Sequence, residues 1–178
     1  MSREDLLKIP SNHRPADVLY PNASSLDYPN GNKYDKIIAA NVHFINKLFQ
    51  IDPPLDPNLV KALMASESGF RENPPGNSAI GIAQITKETL KVLQDPAGEA
   101  KDLTFKNISP EDLLNPEISI PLLIRWLVRK RDTAKSKLGR EPTEEELILE
   151  YKGLLKSSTA YKKNALKNFR KNHDRLKK

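Results

Sequence analysis

The chain has 178 residues, a net charge of +6, 29% charged and 38% hydrophobic side chains, and no cysteine. That length supports one domain with a hydrophobic core plus an arm or tail. The lack of cysteine excludes disulfides and disfavours a structural zinc site. His13, His43 and His173 show no pair at ligand spacing, so neither a metal nor a cofactor is expected.

Residues 1–33 carry Pro10, Pro15, Pro21 and Pro29 among Asn and Ser, which predicts an irregular arm rather than a domain. Its first ten residues hold no apolar run long enough for a secretory signal, and no segment of the chain is apolar enough to span a membrane. Residues 34–50 have the pattern of an amphipathic helix, with Ile37, Ile38, Val42, Ile45 and Phe49 facing inward. Asp52-Pro53-Pro54 then breaks the chain.

A complete helix signal follows. Asp56 is a good N-cap, Pro57 fits the first helical position, and Gly69 supplies the stop. Leu59, Val60, Leu63 and Met64 share one face, and Glu67 falls on that face, four residues after Leu63 and three after Met64. Lost hydration and the negative end of the helix dipole both favour a proton on such a carboxyl, as a general acid requires. The plainer alternative is a glutamate that reaches water or pairs with Arg71.

The polar stretch from Phe70 to Ser78, with Asn77 in it, predicts a loop. The apolar run 79–86 contains Gly81, which permits close backbone approach, and Gln84, which offers a donor and an acceptor to a sugar hydroxyl or to local backbone. A short helix is expected from Thr86 to Leu93, an irregular loop over 95–110, and a long helix over 116–138 that buries Leu122, Leu123, Trp126 and Leu127. Trp126 fits core better than a sugar platform, given its apolar neighbours. Thr143 and Glu146 form a capping box for the helix that carries Tyr151. No strand pattern is convincing, so the fold is expected to be all-α.

A last helix, over 158–178, carries eight cations against Asp174, with Leu166, Phe169 and Leu176 available to dock. Its net +7 exceeds the charge of the whole chain, leaving −1 for the rest. Such a helix is either a solvated basic face or one drawn to anionic wall polymers, a membrane surface or nucleic acid. No nucleic-acid-binding motif accompanies it, so no specific nucleic acid is expected.

Glu67-Ser68-Gly69-Phe70 followed by Gly81-Ile82-Ala83-Gln84 resembles the lytic transglycosylase domain of the lysozyme-like superfamily. Two later blocks agree in order: Leu114-Asn115-Pro116-Glu117-Ile118 running into the long helix, and Glu150-Tyr151-Lys152-Gly153, where the family carries Ala-Tyr-Asn before a Gly. Tyr151 follows Glu67 by 84 residues, a separation typical of the family. The resemblance covers about residues 55–160. It implies a lysozyme-like helical domain over 34–178 with the arm before it.

The resemblance also implies a catalytic Glu67, with Ser68, Gly81, Ala83, Gln84 and Tyr151 around the sugar. Ala83 stands where the family usually has Met, and Lys152 where it has Asn. Hydrolysis on this fold needs a second carboxylate; Glu72 and Glu88 are the candidates, and neither sits well. The resemblance therefore implies lytic cleavage of peptidoglycan strands by one acid, leaving a 1,6-anhydro end. A hydrolytic muramidase or an inactive glycan-binding protein are the alternatives. Peptidoglycan lies in the periplasm or cell wall, so the expected delivery is by specialised secretion, phage lysis or a lost leader. A secretion-system component, a phage component or a small inhibitor protein are the partner classes this leaves open.

Overall fold

The computed structural model describes residues 1–76 and 78–178. Asn77, within the loop expected after Phe70, lies outside the described residues. Seven α-helices are found among the described residues: α1 (Arg3–Lys8), α2 (Asp35–Phe49), α3 (Pro57–Ser68), α4 (Lys87–Gln94), α5 (Pro116–Leu138), α6 (Glu144–Tyr151) and α7 (Thr159–Leu176). Their one departure from an all-α fold is a minimal antiparallel ladder, β1 (Ala79–Ile80) with β2 (Ile85–Thr86). Two residues per strand leave no alternation to read, which is why the sequence gives no strand signal.

Local chemistry sets the helix ends. Asp56 accepts from the Asn58 amide, Pro57 occupies the first turn, and Gly69 closes α3 in the left-handed region at φ 57°. Asn115 accepts from the Glu117 amide at the start of α5, and Gly139 ends that helix at φ 70°. Thr143 and Glu146 form the reciprocal capping box of α6.

Helix α5 is the central element. Ile118 through Val128 are buried without interruption, and α1, α2, α4 and α6 pack around them. Trp126 is part of this core, with the Lys130 ammonium 4.2 Å from its ring centroid. Helix α2 contributes buried Ile38, Val42 and Ile45, with Ile37 and Phe49 packed at the edge. Helix α3 packs mainly on α7, which docks through Leu166, Phe169 and Leu176. The rest of α7 carries its charge outward, where Arg170 pairs with Glu145 and Arg175 with Asp27.

The first 33 residues are more ordered than their composition predicts. Ser2 and Asp5 make a capping box for α1, and Leu6, Ile9 and Leu26 are buried in the common core. The terminal amine donates to the Thr104 carbonyl at 2.7 Å. A six-residue helix is too short to show a period. Among the described residues, no helix is long and apolar enough to cross a membrane.

Candidate active site

Two helix ends converge to build the site. Helix α3 delivers Glu67 in its last turn, and two successive left-handed residues, Gly69 at φ 57° and Phe70 at φ 59°, turn the chain away behind it. Phe70 is fully buried and meets Tyr28 edge-on at 5.6 Å, which anchors that turn. Helix α6 delivers Tyr151 as its last residue and Lys152 as its C-cap. The Lys152 ammonium donates to Glu67 Oε1, joining residues 85 apart in sequence.

This contact changes the environment expected for Glu67. Its side chain is 22% exposed, and an ammonium holds it. The dehydrated, solitary carboxyl suggested by the helix face is replaced by a half-buried carboxyl group with one oxygen occupied by Lys152. Arg71, the partner suggested by spacing, instead donates to the Ser68 carbonyl. Tyr151 is half-buried at the same place. Its burial, and then the charge of Glu67, push the phenol well above its ordinary value, so the hydroxyl keeps its proton.

Glu150 shows how α6 is held there. This carboxylate is 4% exposed, and both its oxygens accept from Lys137 of α5, at 2.7 and 2.9 Å. The residue that departs from the family's small one before the tyrosine therefore ties the Tyr151 end of α6 to the central helix. Spacing alone could not show this, because the partner lies on another element.

Ala79 to Thr86 form a tight hairpin. Gly81 sits at φ 71°, and a Cβ placed there would lie 1.9 Å from the Leu113 carbonyl oxygen. Only glycine fits, on both backbone and steric grounds. Gly81→Ala is expected to destabilise the fold by roughly 1–3 kcal/mol through backbone strain alone, with the clash adding to it. Chemical denaturation of the two proteins side by side measures the difference.

Gln84, itself at φ 51°, folds its amide back, and Nε2 donates to the Gly81 carbonyl at 2.8 Å. The local-backbone alternative is thus the one adopted in the free chain. Two other expected sugar contacts are placed differently. Ser68 is buried, donating to the Met64 carbonyl and accepting from the Phe70 amide, so its hydroxyl closes α3. Ala83 is fully buried in the core. Neither presents a surface to a sugar in this conformation.

The candidate second carboxylates are also placed. Glu72 accepts from Lys33 Nζ at 2.8 Å and from the Tyr34 hydroxyl at 2.6 Å, and those two bonds hold it below the usual carboxylate range. Glu88 stands in the first turn of α4, where an acid complements the helix dipole.

A cavity of about 440 Å³ lies elsewhere, lined by His43, Asn46, Asp56 and Pro57 among others. It touches the start of α3, whereas Glu67 is near the end of that helix. Glu67 and its neighbours, rather than the size of a hollow, mark the candidate site.

Neither curated proteins nor solved structures gave a match to the chain. The profile of the Transglycosylase SLT domain matches residues 50–141. The matched stretch contains Glu67, Gly81 and Gln84, and stops before Tyr151 and Lys152. It spans more than half of the chain, the helices that carry it are those the motifs require, and the chain therefore belongs to the transglycosylase SLT domain family.

Proposed function

We propose that the chain is a lytic transglycosylase that cleaves the MurNAc-GlcNAc β-1,4 bond of peptidoglycan, with Glu67 as its single general acid and base. The observation that carries this reading is the meeting of Glu67 with Tyr151 and Lys152 from a separate helix, 85 residues from the acid to the lysine. In the first step Glu67 gives its proton to the glycosidic oxygen as the bond from C1 to that oxygen breaks. The 6-hydroxyl of the same muramic acid then attacks C1, and the Glu67 carboxylate takes the hydroxyl proton. A 1,6-anhydro ring results, the acid is restored and no water is consumed.

One acid suffices for this route. Lys33 and Tyr34 both donate to Glu72 Oε1 and draw that carboxylate toward residues 33–34, which supports this route over hydrolysis by a second carboxylate. Tyr151, with its proton retained, would donate to the reacting sugar. Gly81 and Gln84 would line the cleft, with the Gln84 amide exchanging its backbone partner for a sugar hydroxyl. In this reading residues 34–178 form the catalytic domain, residues 1–33 an arm laid on it, and the enzyme acts in the periplasm or cell wall.

Lys152 takes a positioning role. An ammonium donates and cannot accept, so on Glu67 Oε1 it leaves the other oxygen to face the glycosidic bond. Lys152→Ala should lower kcat by roughly 10- to 100-fold with little change in KM, the scale expected when a catalytic group loses its orientation. Lys152→Asn, which also places an amide donor there, should retain most of the rate. Turnover of purified sacculi, read as soluble muropeptides, compares the three. Equal rates in all three would remove the positioning role.

A further inference from the structure

We propose that Asp56, Glu144 and His173 form a divalent-metal site, of the kind zinc occupies, at the corner where α3 and α6 begin and α7 ends. One ligand atom from each of these residues lies within 4.8 Å of the others. Zinc bonds of about 2.0–2.2 Å place neighbouring ligands somewhat closer than that, so small side-chain movements would close the site. Histidine with two carboxylates, and a fourth position left to water, is a donor set that zinc accepts.

Helix-end chemistry accounts for part of this cluster. Asp56 caps α3, and its Oδ1 accepts from the Asn58 amide at 2.8 Å. Glu144 is the first residue of α6, where an acid is favoured. What this chemistry does not account for is His173. The residue is 4% exposed, and its Nε2 is buried with no hydrogen-bond partner. The nearest acid oxygen, Glu144 Oε2, stands 3.8 Å away, too far for a hydrogen bond. A buried ring nitrogen without a partner is uncommon in folded proteins. Here it faces two carboxylates whose second oxygens are available.

One further feature fits an ion. The corner already attracts a cation, since Lys177 Nζ lies 2.8 Å from Glu144 Oε2. Phe169 holds the His173 ring in place, at 4.9 Å between centroids. A metal here would fasten the origins of the two helices whose far ends carry Glu67 and Tyr151, and would pin α7 to both.

The test uses the full chain and the metal alone. Isothermal titration with ZnCl₂, after removal of metals with EDTA, should show one saturable site per chain. At a free Zn²⁺ concentration a hundred times Kd, Tm should rise by roughly 5–10 °C. Asp56→Asn and Glu144→Gln preserve capping and shape, so both should fold, and each should weaken binding at least about tenfold. Lys177→Ala removes the competing ammonium and should tighten it. No saturable binding overturns the proposal, as does binding that survives either carboxylate variant unchanged. Binding lost in His13→Gln and kept in His173→Gln would place the metal at the His13–His43 pair, where the rings are 5.2 Å apart, and would overturn it equally.

Discussion

Glu67→Gln is expected to abolish release of anhydro-muropeptides from purified peptidoglycan while leaving the protein folded. The amide keeps the shape of the carboxyl and can still accept from Lys152, but it has no proton of suitable acidity to give and no basic oxygen to take one back. General acid–base assistance is ordinarily worth about 10²–10⁴-fold. A mechanism that asks one group to serve in both steps should lose at least that much. The pair being broken is partly exposed on both sides, so its contribution to stability is about 1 kcal/mol or less. An unchanged Tm with vanished products would therefore assign the loss to chemistry. Mass spectrometry of the digest separates the outcomes. Anhydro ends made by the wild type and missing from the variant support the lytic route, reducing ends would mean hydrolysis with a second carboxylate, and no products from the wild type would leave a binding protein.

The helices that carry this chemistry were legible because their signals are local. Asp56, Pro57 and Gly69 bound α3, and Thr143 and Glu146 start α6. Each cap acts within four residues of its own position, so a single sequence displays it. Glu67 stood out for a similar reason, as a carboxylate on an apolar face followed by a motif. Its surroundings were not legible. Lys152 could be read only as a departure from asparagine, because its contact with Glu67 depends on where the fold brings the end of α6 to the end of α3. Ser68 and Ala83 show the same limit from the other side. Their place in the motif suggests sugar contacts, while packing turns one hydroxyl into a helix closure and buries the other side chain. His173 looked like an isolated histidine because Asp56 and Glu144 are far from it in sequence.

Lys61 is where the unread part of the sequence has the largest structural consequence, and Lys61→Ala is expected to destabilise the protein by about 3–5 kcal/mol. On a helical wheel it is an ordinary solvent-facing lysine of α3. In the folded chain its side chain is 0% exposed, because residues before α2 cover it. All three ammonium protons are used: Nζ donates to the Asn22 carbonyl at 2.7 Å, to Asn32 Oδ1 at 2.8 Å and to Asp35 Oδ2 at 2.9 Å. One cation thus fastens the arm and the start of α2 to the helix that holds Glu67. Removing it strands Asp35, and Asp35→Ala strands the cation, so the single variants should both fall far. Lys61→Met with Asp35→Leu should lose much less than the sum, since an apolar pair of similar size carries no desolvation penalty. Urea titrations of Lys61→Met, Asp35→Leu and their double variant against the wild type give the coupling directly. Burial drives Lys61 below its ordinary value, and the Asp35 contacts only partly offset this. A lysine with a lowered folded pKa binds fewer protons folded than unfolded between that value and 10.5, so stability rises with pH across that window. Without Asp35 the folded value falls further and the window widens downward. Asp35→Ala should therefore recover stability as pH is raised from 7 toward 10, whereas the Lys61→Met, Asp35→Leu double variant should lack that component. A flat difference between the two over this range would mean that Lys61 reaches water once its partner is gone.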